Sequence, residues 1–284
     1  YEVTSCILSP QMARRSAVPL FKSRHAAFIR GIEEADDNDK AMASHLSVGT
    51  GARAYTITHT HKSWFVYNQE GALYYRIPKS DPCYKYGDMS PCGGCKLYDH
   101  DEYQPKTPAG EGRRILISNE WTNPATGEKE YFGLRDRVES YFALDGPRAP
   151  DGVEYGNDMI DGDGISVKTL NRWVRSIGGV SSISADLRRD RLREEIDVEE
   201  VDVDDPKKRD MEQIKDFGTD RDGNEIPDLM NHDMRATFCT QLMRNNVSRT
   251  KAIEKTGHKD PDSMSTYVKF AEKEIDSEEE SSFY

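Results

Sequence analysis

The chain has 284 residues, of which 36 % are hydrophobic and 32 % charged, and it carries a formal net charge of −12. That length suits one large domain or two small ones, and no apolar run approaches the roughly 18 residues of a membrane span, which argues against a membrane protein. No secretory leader opens the sequence, and it begins with Tyr1 rather than Met, as a processed, trimmed or partly ordered N-terminus would.

Residues 1–20 are basic and irregular, with Pro10 and Pro19, and are expected to form an arm or linker. A first helix is predicted near 21–34 and a second over 38–48, broken by the Gly49-Thr50-Gly51 turn. A new element starts at Arg53, where a helix N-terminus and a guanidinium would face an anion together. "ALYYRIP" (Ala72 to Pro78) alternates as a strand does, and "GRRILIS" (Gly112 to Ser118) reads as its partner. "KEYFGLRDRVESYFAL" and "GISVKTLNRWVRSIGG" have helical spacing.

Five cysteines are present, and Cys83, Cys92 and Cys95 fall within thirteen positions. An odd total with this clustering points to a metal knuckle in a reducing compartment rather than a disulfide scaffold. The two glycines of Cys-Gly-Gly-Cys let both sulfurs turn toward one ion. His100 is the preferred fourth ligand, ahead of Asp99 and Cys6, and the expected ion is a structural Zn2+ outside any catalysis. "GTDRDGNEIPDL" looks like a calcium loop but places Gly218 and Leu229 at ligand positions, which rules it out.

A net charge of −12 speaks against a nucleic-acid partner, but the acid is localised. Residues 194–228 hold fifteen acids against five bases, and the tail holds six acids and one lysine. The remainder is mildly basic, and 165–193 carries seven bases against Asp186 and Asp190. The acidic blocks read as a solvated insertion and tail, and a salt-adapted source would favour such surfaces.

From Asn231 onward the local signals sharpen. Asn231 is the expected N-cap of a helix with Phe238, Leu242 and Met243 facing inward. Ser248 caps a short helix that ends near Lys255 or Thr256, with Gly257 as its left-handed C′ residue. Asp260-Pro261 opens the last helix, about two turns before Tyr267.

These pieces fall into one order: "TGAR" (Arg53), "PKTPAGEGRRILI" (Lys106), "HDMR" (His232, Arg235), "TGH" (His258) and "STYVKF" (Tyr267). In that order the chain resembles the tyrosine recombinases, the phage-integrase family, over roughly residues 20–271. The resemblance implies an α+β fold, a mainly helical catalytic domain with a small antiparallel β-sheet. Its domain spans 21–271, interrupted by a cysteine-rich insertion at 79–105 and an acidic one at 194–228, with an acidic tail at 272–284. Three departures stand out. Thr56 stands where the family often has an acidic or similar polar residue. The hairpin is interrupted, so Lys79 in "RIPKSD" competes with Lys106. Only about twenty residues precede the resemblance, so the usual N-terminal DNA-clamping domain is not seen.

The resemblance implies reversible DNA cleavage through a 3′-phosphotyrosine. Tyr267 would attack phosphorus and store the bond. Its phenol, with an ordinary pKa of about 10, would lose its proton to His232. Arg53 and Arg235 would hold the non-bridging oxygens, His258 would bond another, and Lys106 would protonate the departing 5′ oxygen. No catalytic cofactor is implied. The implied partners are double-stranded DNA and further copies of the chain, as dimers or tetramers on DNA. The implied location is cytoplasmic, at a nucleoid or in a virus-infected cell, where the reaction would serve recombination or integration of a viral genome. A type IB-like topoisomerase and a catalytically inactive DNA-binding or zinc-bearing relative are the alternatives.

Overall fold

The computed structural model describes residues 17, 19–20, 22–87, 89–123, 126–144, 158–177, 229–259 and 261–271. Most of the predicted arm, the acidic insertion, the acidic tail and Cys6 lie outside the described residues. The architecture is mainly helical with two small antiparallel sheets. Among the described residues no helix is long and apolar enough to cross a membrane.

Helix α1 (Lys22–Glu33) leads into α2 (Asn38–Thr50), which is the scaffold of the fold. Asp37 caps α2 by accepting from the Lys40 N–H. Its residues Ala41 to Val48 are all buried, so the helix has no solvated face and runs through the core. It packs against α1, α5 (Leu134–Tyr141), α6 (Val167–Ser176) and α7 (Asn231–Arg244). The predicted break at Gly49 is not there. Gly49 sits under Phe132 and Leu134, where an added Cβ would come within 2.5 Å of Leu134, and the helix continues to Thr50. It stops at Gly51, which takes a left-handed φ of 58° and donates its N–H to the Ser47 carbonyl. Arg53 follows at once, as the N-cap of the short helix α3 (Ala54–Ile57).

Strands β1 (Phe65–Tyr67), β2 (Leu73–Arg76) and β3 (Arg114–Leu116) form an antiparallel sheet in that order. The register sets Tyr75 opposite both Phe65 and Ile115, so the buried face is aromatic and aliphatic as the alternation predicts. Between β2 and β3 runs the cysteine-bearing insertion with the short helix α4 (Gly93–Leu97). A second hairpin joins β4 (Glu120–Thr122) to β5 (Lys129–Tyr131). This corrects the helix predicted over 129–144: its first three residues are strand, and the helix begins only after Gly133.

At the C-terminal end, Met230 rather than Asn231 is the N-cap of α7, and its N–H is received by the Asp233 carboxylate at 2.8 Å. Asn231 instead turns inward and donates to the Ala52 carbonyl at 3.2 Å. Helix α8 (Arg249–Thr256) has its Ser248 cap and its Gly257 terminus as expected. A 3-10 turn, Pro261–Met264, then passes into helical residues 265–271. Ala236, Cys239, Ala252, Met264 and Tyr267 form a small apolar cluster beneath this last segment.

Candidate active site

Three arginines converge where α2, α7, α8 and the β3 approach meet. Arg235, one turn into α7, is 2 % exposed. Its guanidinium donates from Nη1 to the Gly51 carbonyl at 2.7 Å and from Nη2 to the Thr256 carbonyl at 2.6 Å. It therefore ties the end of α2 to the end of α8. Arg53 is half-buried; its Nη1 donates to Thr107 Oγ1 at 3.2 Å, and its Nη2 lies 3.5 Å from the Gly257 carbonyl. Arg113 was not singled out from sequence. It is 5 % exposed and donates from Nε to the Gly110 carbonyl at 3.3 Å and from Nη1 to the Lys255 carbonyl at 3.1 Å.

The three guanidiniums bond backbone carbonyls, the Thr107 hydroxyl and, from Arg235, His258 Nε2, and among the described residues none is paired with a carboxylate. Burial, and then the neighbouring Arg235, lowers Arg53 to about 10. Burial, then Arg235 and Arg53, lowers Arg113 to about 9. Burial lowers Arg235 as well. The three remain cationic at neutral pH and repel one another in a poorly solvated corner. An arrangement of this kind is stabilised by an anion.

His258 projects into this corner from the turn after α8. Thr256 Oγ1 gives its proton to the Ala252 carbonyl at 2.7 Å, so it accepts from His258 Nδ1 at 2.7 Å. Nδ1 thus carries the hydrogen, and Nε2 turns its lone pair toward Arg235 Nη2 at 3.4 Å. Burial, followed by Arg235, Arg53, Arg113 and His232, pushes the ring down to about 3. A pKa below the ordinary 6.5 means that the unfolded chain binds the proton first, so this group costs stability as pH falls from about 6.5 toward 3. A bound phosphate would offset the arginines and raise the value. At about pH 5, binding of a phosphate-bearing ligand is expected to take up protons, and His258→Asn to take up fewer. Calorimetry in buffers of differing ionisation enthalpy measures the difference; equal uptake by both chains would separate His258 from the bound anion.

Tyr267 is 9 % exposed, with its ring centroid 5.6 Å from that of His258. Burial and then Cys239 push its phenol up to about 12, while Arg235 and Arg53 pull it down. The ring therefore borders the apolar cluster on one side and the guanidiniums on the other. Cys239 is fully buried packing, and burial raises its thiol to about 11. His232, in the first turn of α7, is exposed and lies within electrostatic reach of His258.

Lys106 is exposed at the edge of this group, with its Nζ 5.3 Å from the centre of the Tyr98 ring. Its neighbour Thr107 is the residue that receives Arg53. The competing Lys79 is more than three-quarters exposed and pairs with Glu111 at 3.7 Å.

Gly257 is where these parts touch. An added Cβ there would stand 2.7 Å from the Ala109 carbonyl oxygen and 2.9 Å from Arg113 Cδ, at a φ of +63°. Gly257→Ala is expected to destabilise the fold by about 3 kcal/mol, combining left-handed strain with overpacking. Urea denaturation reads the change.

The cysteine segment folds differently from expectation at one position. Cys83, Cys92 and Cys95 gather with His59, not with His100, and this buried group could hold a metal ion. His100 follows α4 and lies tilted beside Tyr98, at 6.2 Å between ring centroids. Its backbone N–H is what reaches back, to the Cys95 carbonyl.

No protein-family model and no curated protein matches the chain. Solved structures do. XerH site-specific recombinase, bound to a palindromic difH substrate in a post-cleavage complex, matches with a TM-score of 0.45 and 12 % identity, over 93 % of this chain and 52 % of that one. XerA recombinase matches with a TM-score of 0.49 and 14 % identity, over 95 % and 67 %. The Tn1549 transposon integrase, in complex with transposon right end DNA, gives 0.49 and 13 %, over 92 % and 66 %. The chain thus spans about half the length of the XerH chain it matches. Likenesses of this order carry no statement about activity.

Proposed function

We propose that this chain is the catalytic domain of a site-specific DNA recombinase of the tyrosine recombinase type, which cleaves and rejoins double-stranded DNA through a 3′-phosphotyrosine. One observation carries it: three guanidiniums, two buried and one half-buried and none with a carboxylate partner among the described residues, lie around His258, and those of Arg235 and Arg53 act on Tyr267 as well. Such a corner suits a phosphodiester, whose charge is fixed and whose transition state gathers more of it on the non-bridging oxygens.

Arg53 and Arg235 hold those oxygens, and Arg113 adds charge from behind while bracing the turn at Gly257. Tyr267 attacks phosphorus, its proton passing to His232. Lys106 protonates the 5′ oxygen as it leaves, and the reverse sequence rejoins the strand. His258 in its present tautomer accepts from Arg235; protonated next to the phosphate, it donates to it. Tyr267 lies beside the guanidiniums of its own chain, which favours cleavage in cis. Several copies assemble on the duplex, as dimers pairing into tetramers. No cofactor takes part in this chemistry, and a structural zinc would be held by the insertion's three cysteines together with His59.

Nicked suicide duplexes test this: an adduct that survives detergent marks an enzyme, and none marks an inactive relative. Strand exchange that depends on sequence separates a recombinase from a topoisomerase, which would relax supercoils alone. Lys106→Ala is expected to lose cleavage of ordinary DNA and to regain it when sulfur replaces the 5′ bridging oxygen, because a good leaving group needs no proton. Rescue of Lys79→Ala instead would transfer the role to Lys79.

A further inference from the structure

The His59–cysteine group is drawn from three separate stretches of chain, yet its ligand atoms all lie within 4.8 Å of one another. The sulfurs of Cys92 and Cys95 are 3.8 Å apart, and His59 Nε2 stands 3.2 Å from the first and 3.6 Å from the second. A tetrahedral Zn2+, with Zn–S of about 2.3 Å and Zn–N of about 2.0 Å, needs edges of about 3.8 Å between sulfurs and about 3.5 Å from sulfur to nitrogen. A disulfide would need sulfurs at about 2.05 Å, and all these cysteines are free.

The surroundings are those of a ligand set. His59 Nδ1 lies 2.7 Å from the Tyr55 carbonyl, which can only accept, so the hydrogen is on Nδ1 and Nε2 offers its lone pair to the sulfurs. The Tyr55 hydroxyl donates to Cys95 Sγ at 3.2 Å. Three thiolates and an imidazole around Zn2+ carry one net negative charge. Lys85, 4 % exposed and within electrostatic reach of all three sulfurs, supplies the balancing positive charge.

We propose that His59, Cys83, Cys92 and Cys95 bind one Zn2+, and that the ion fastens the insertion to α3 so that Lys106 is held against Arg53. His59 follows α3 directly, and Arg53 is the N-cap of that helix. Cys92 and Cys95 sit on α4, whose C-cap Tyr98 carries Lys106 over its ring. Tyr103 stacks on Tyr55 with 5.5 Å between centroids, three residues before Lys106. The two arms that leave the metal group meet again where Arg53 bonds Thr107. Without the ion, the insertion would keep its aromatic contacts and bonds such as Trp64 to Asp81 and Tyr103 to Thr56, but the Cys92–Cys95 segment would lose its tie to His59. The metal site stands whether or not the chain cleaves DNA; only the roles of Arg53 and Lys106 rest on the recombinase proposal.

The test is zinc content of the full chain purified under reducing conditions, with Co2+ substitution to report tetrahedral thiolate ligation. About one zinc per chain is expected, and the same in Tyr267→Phe, which keeps this result separate from DNA cleavage. His59→Ala and Cys95→Ser are expected to lose the ion, and His100→Ala to keep it. Should His59→Ala fail to fold, Tyr55→Phe remains informative: loss of its bond to Cys95 is expected to weaken zinc affinity about tenfold. A folded chain free of zinc, or loss of zinc in His100→Ala but not in His59→Ala, overturns the site. On chelation, amide exchange is expected to rise together in 53–60 and in 83–106. A rise confined to the insertion would overturn the clamp.

Discussion

Tyr267→Phe is expected to abolish the covalent protein–DNA adduct on nicked duplexes while leaving duplex binding within about twofold of the parent chain. The substitution removes one oxygen from a ring that is 9 % exposed and already packed against Ala236, Cys239 and Met264, so the fold is retained. Burial that pushes the phenol to about 12 also costs one polar group less when the hydroxyl is gone. Stability is therefore expected to be unchanged or slightly raised, and only the covalent step is lost. Gel mobility after detergent denaturation measures the adduct, and a native shift measures binding. Persistent adduct in Tyr267→Phe would assign the nucleophile elsewhere.

Arg235→Ala is expected to lower the single-turnover cleavage rate on the order of a hundredfold or more, corresponding to about 3 kcal/mol or more of transition-state stabilisation, by comparison with a deleted oxyanion donor. The variant also leaves the Gly51 and Thr256 carbonyls without their donor, so it loses folding stability as well. Arg235→Lys separates the two effects. It keeps the charge but cannot reach both carbonyls and a phosphate with one ammonium, so cleavage stays low while DNA affinity largely recovers. Cleavage by Arg235→Lys at the parent rate would show that the guanidinium serves the fold and not the phosphate.

The parts of the molecule written in local code were legible in the sequence. Ser248 and Gly257 bound α8 through chemistry that spans a few residues, and the alternation around Tyr75 announced the β2–β3 pair. The spacing of His232 and Arg235 put both in one helical turn, and the same turn of α7 holds them. The misses share a physical cause. The β4–β5 hairpin is largely solvated, so no hydrophobic alternation marked it, and the apolar period of α5 swallowed its last strand. Asn231 has the chemistry of a cap but spends its amide on Ala52, a contact 179 positions away. Arg113 sits in an Arg-Arg pair in which nothing local says that one side chain is buried and the other exposed. His59 lies 24 positions before Cys83, outside any knuckle spacing, whereas His100 lies just beyond it. Its signal was weaker and of another kind: a histidine at the exit of a short helix, with the Tyr55 carbonyl placed to orient its ring.

The charge balance resolves in the same terms. The acids that make the chain negative are concentrated in two stretches, and the corner where the arginines meet contains no carboxylate partner among the described residues. A global charge of −12 is thus compatible with a local site that demands an anion.

Tandem mass spectrometry of the trapped complex interrogates that corner most directly. After digestion of protein and DNA, the residual nucleotide is predicted on the hydroxyl of Tyr267, within the tryptic fragment Asp260 to Lys269. A nucleotide on any other side chain, or unmodified Tyr267 in a complex that has demonstrably cut its DNA, would contradict the account.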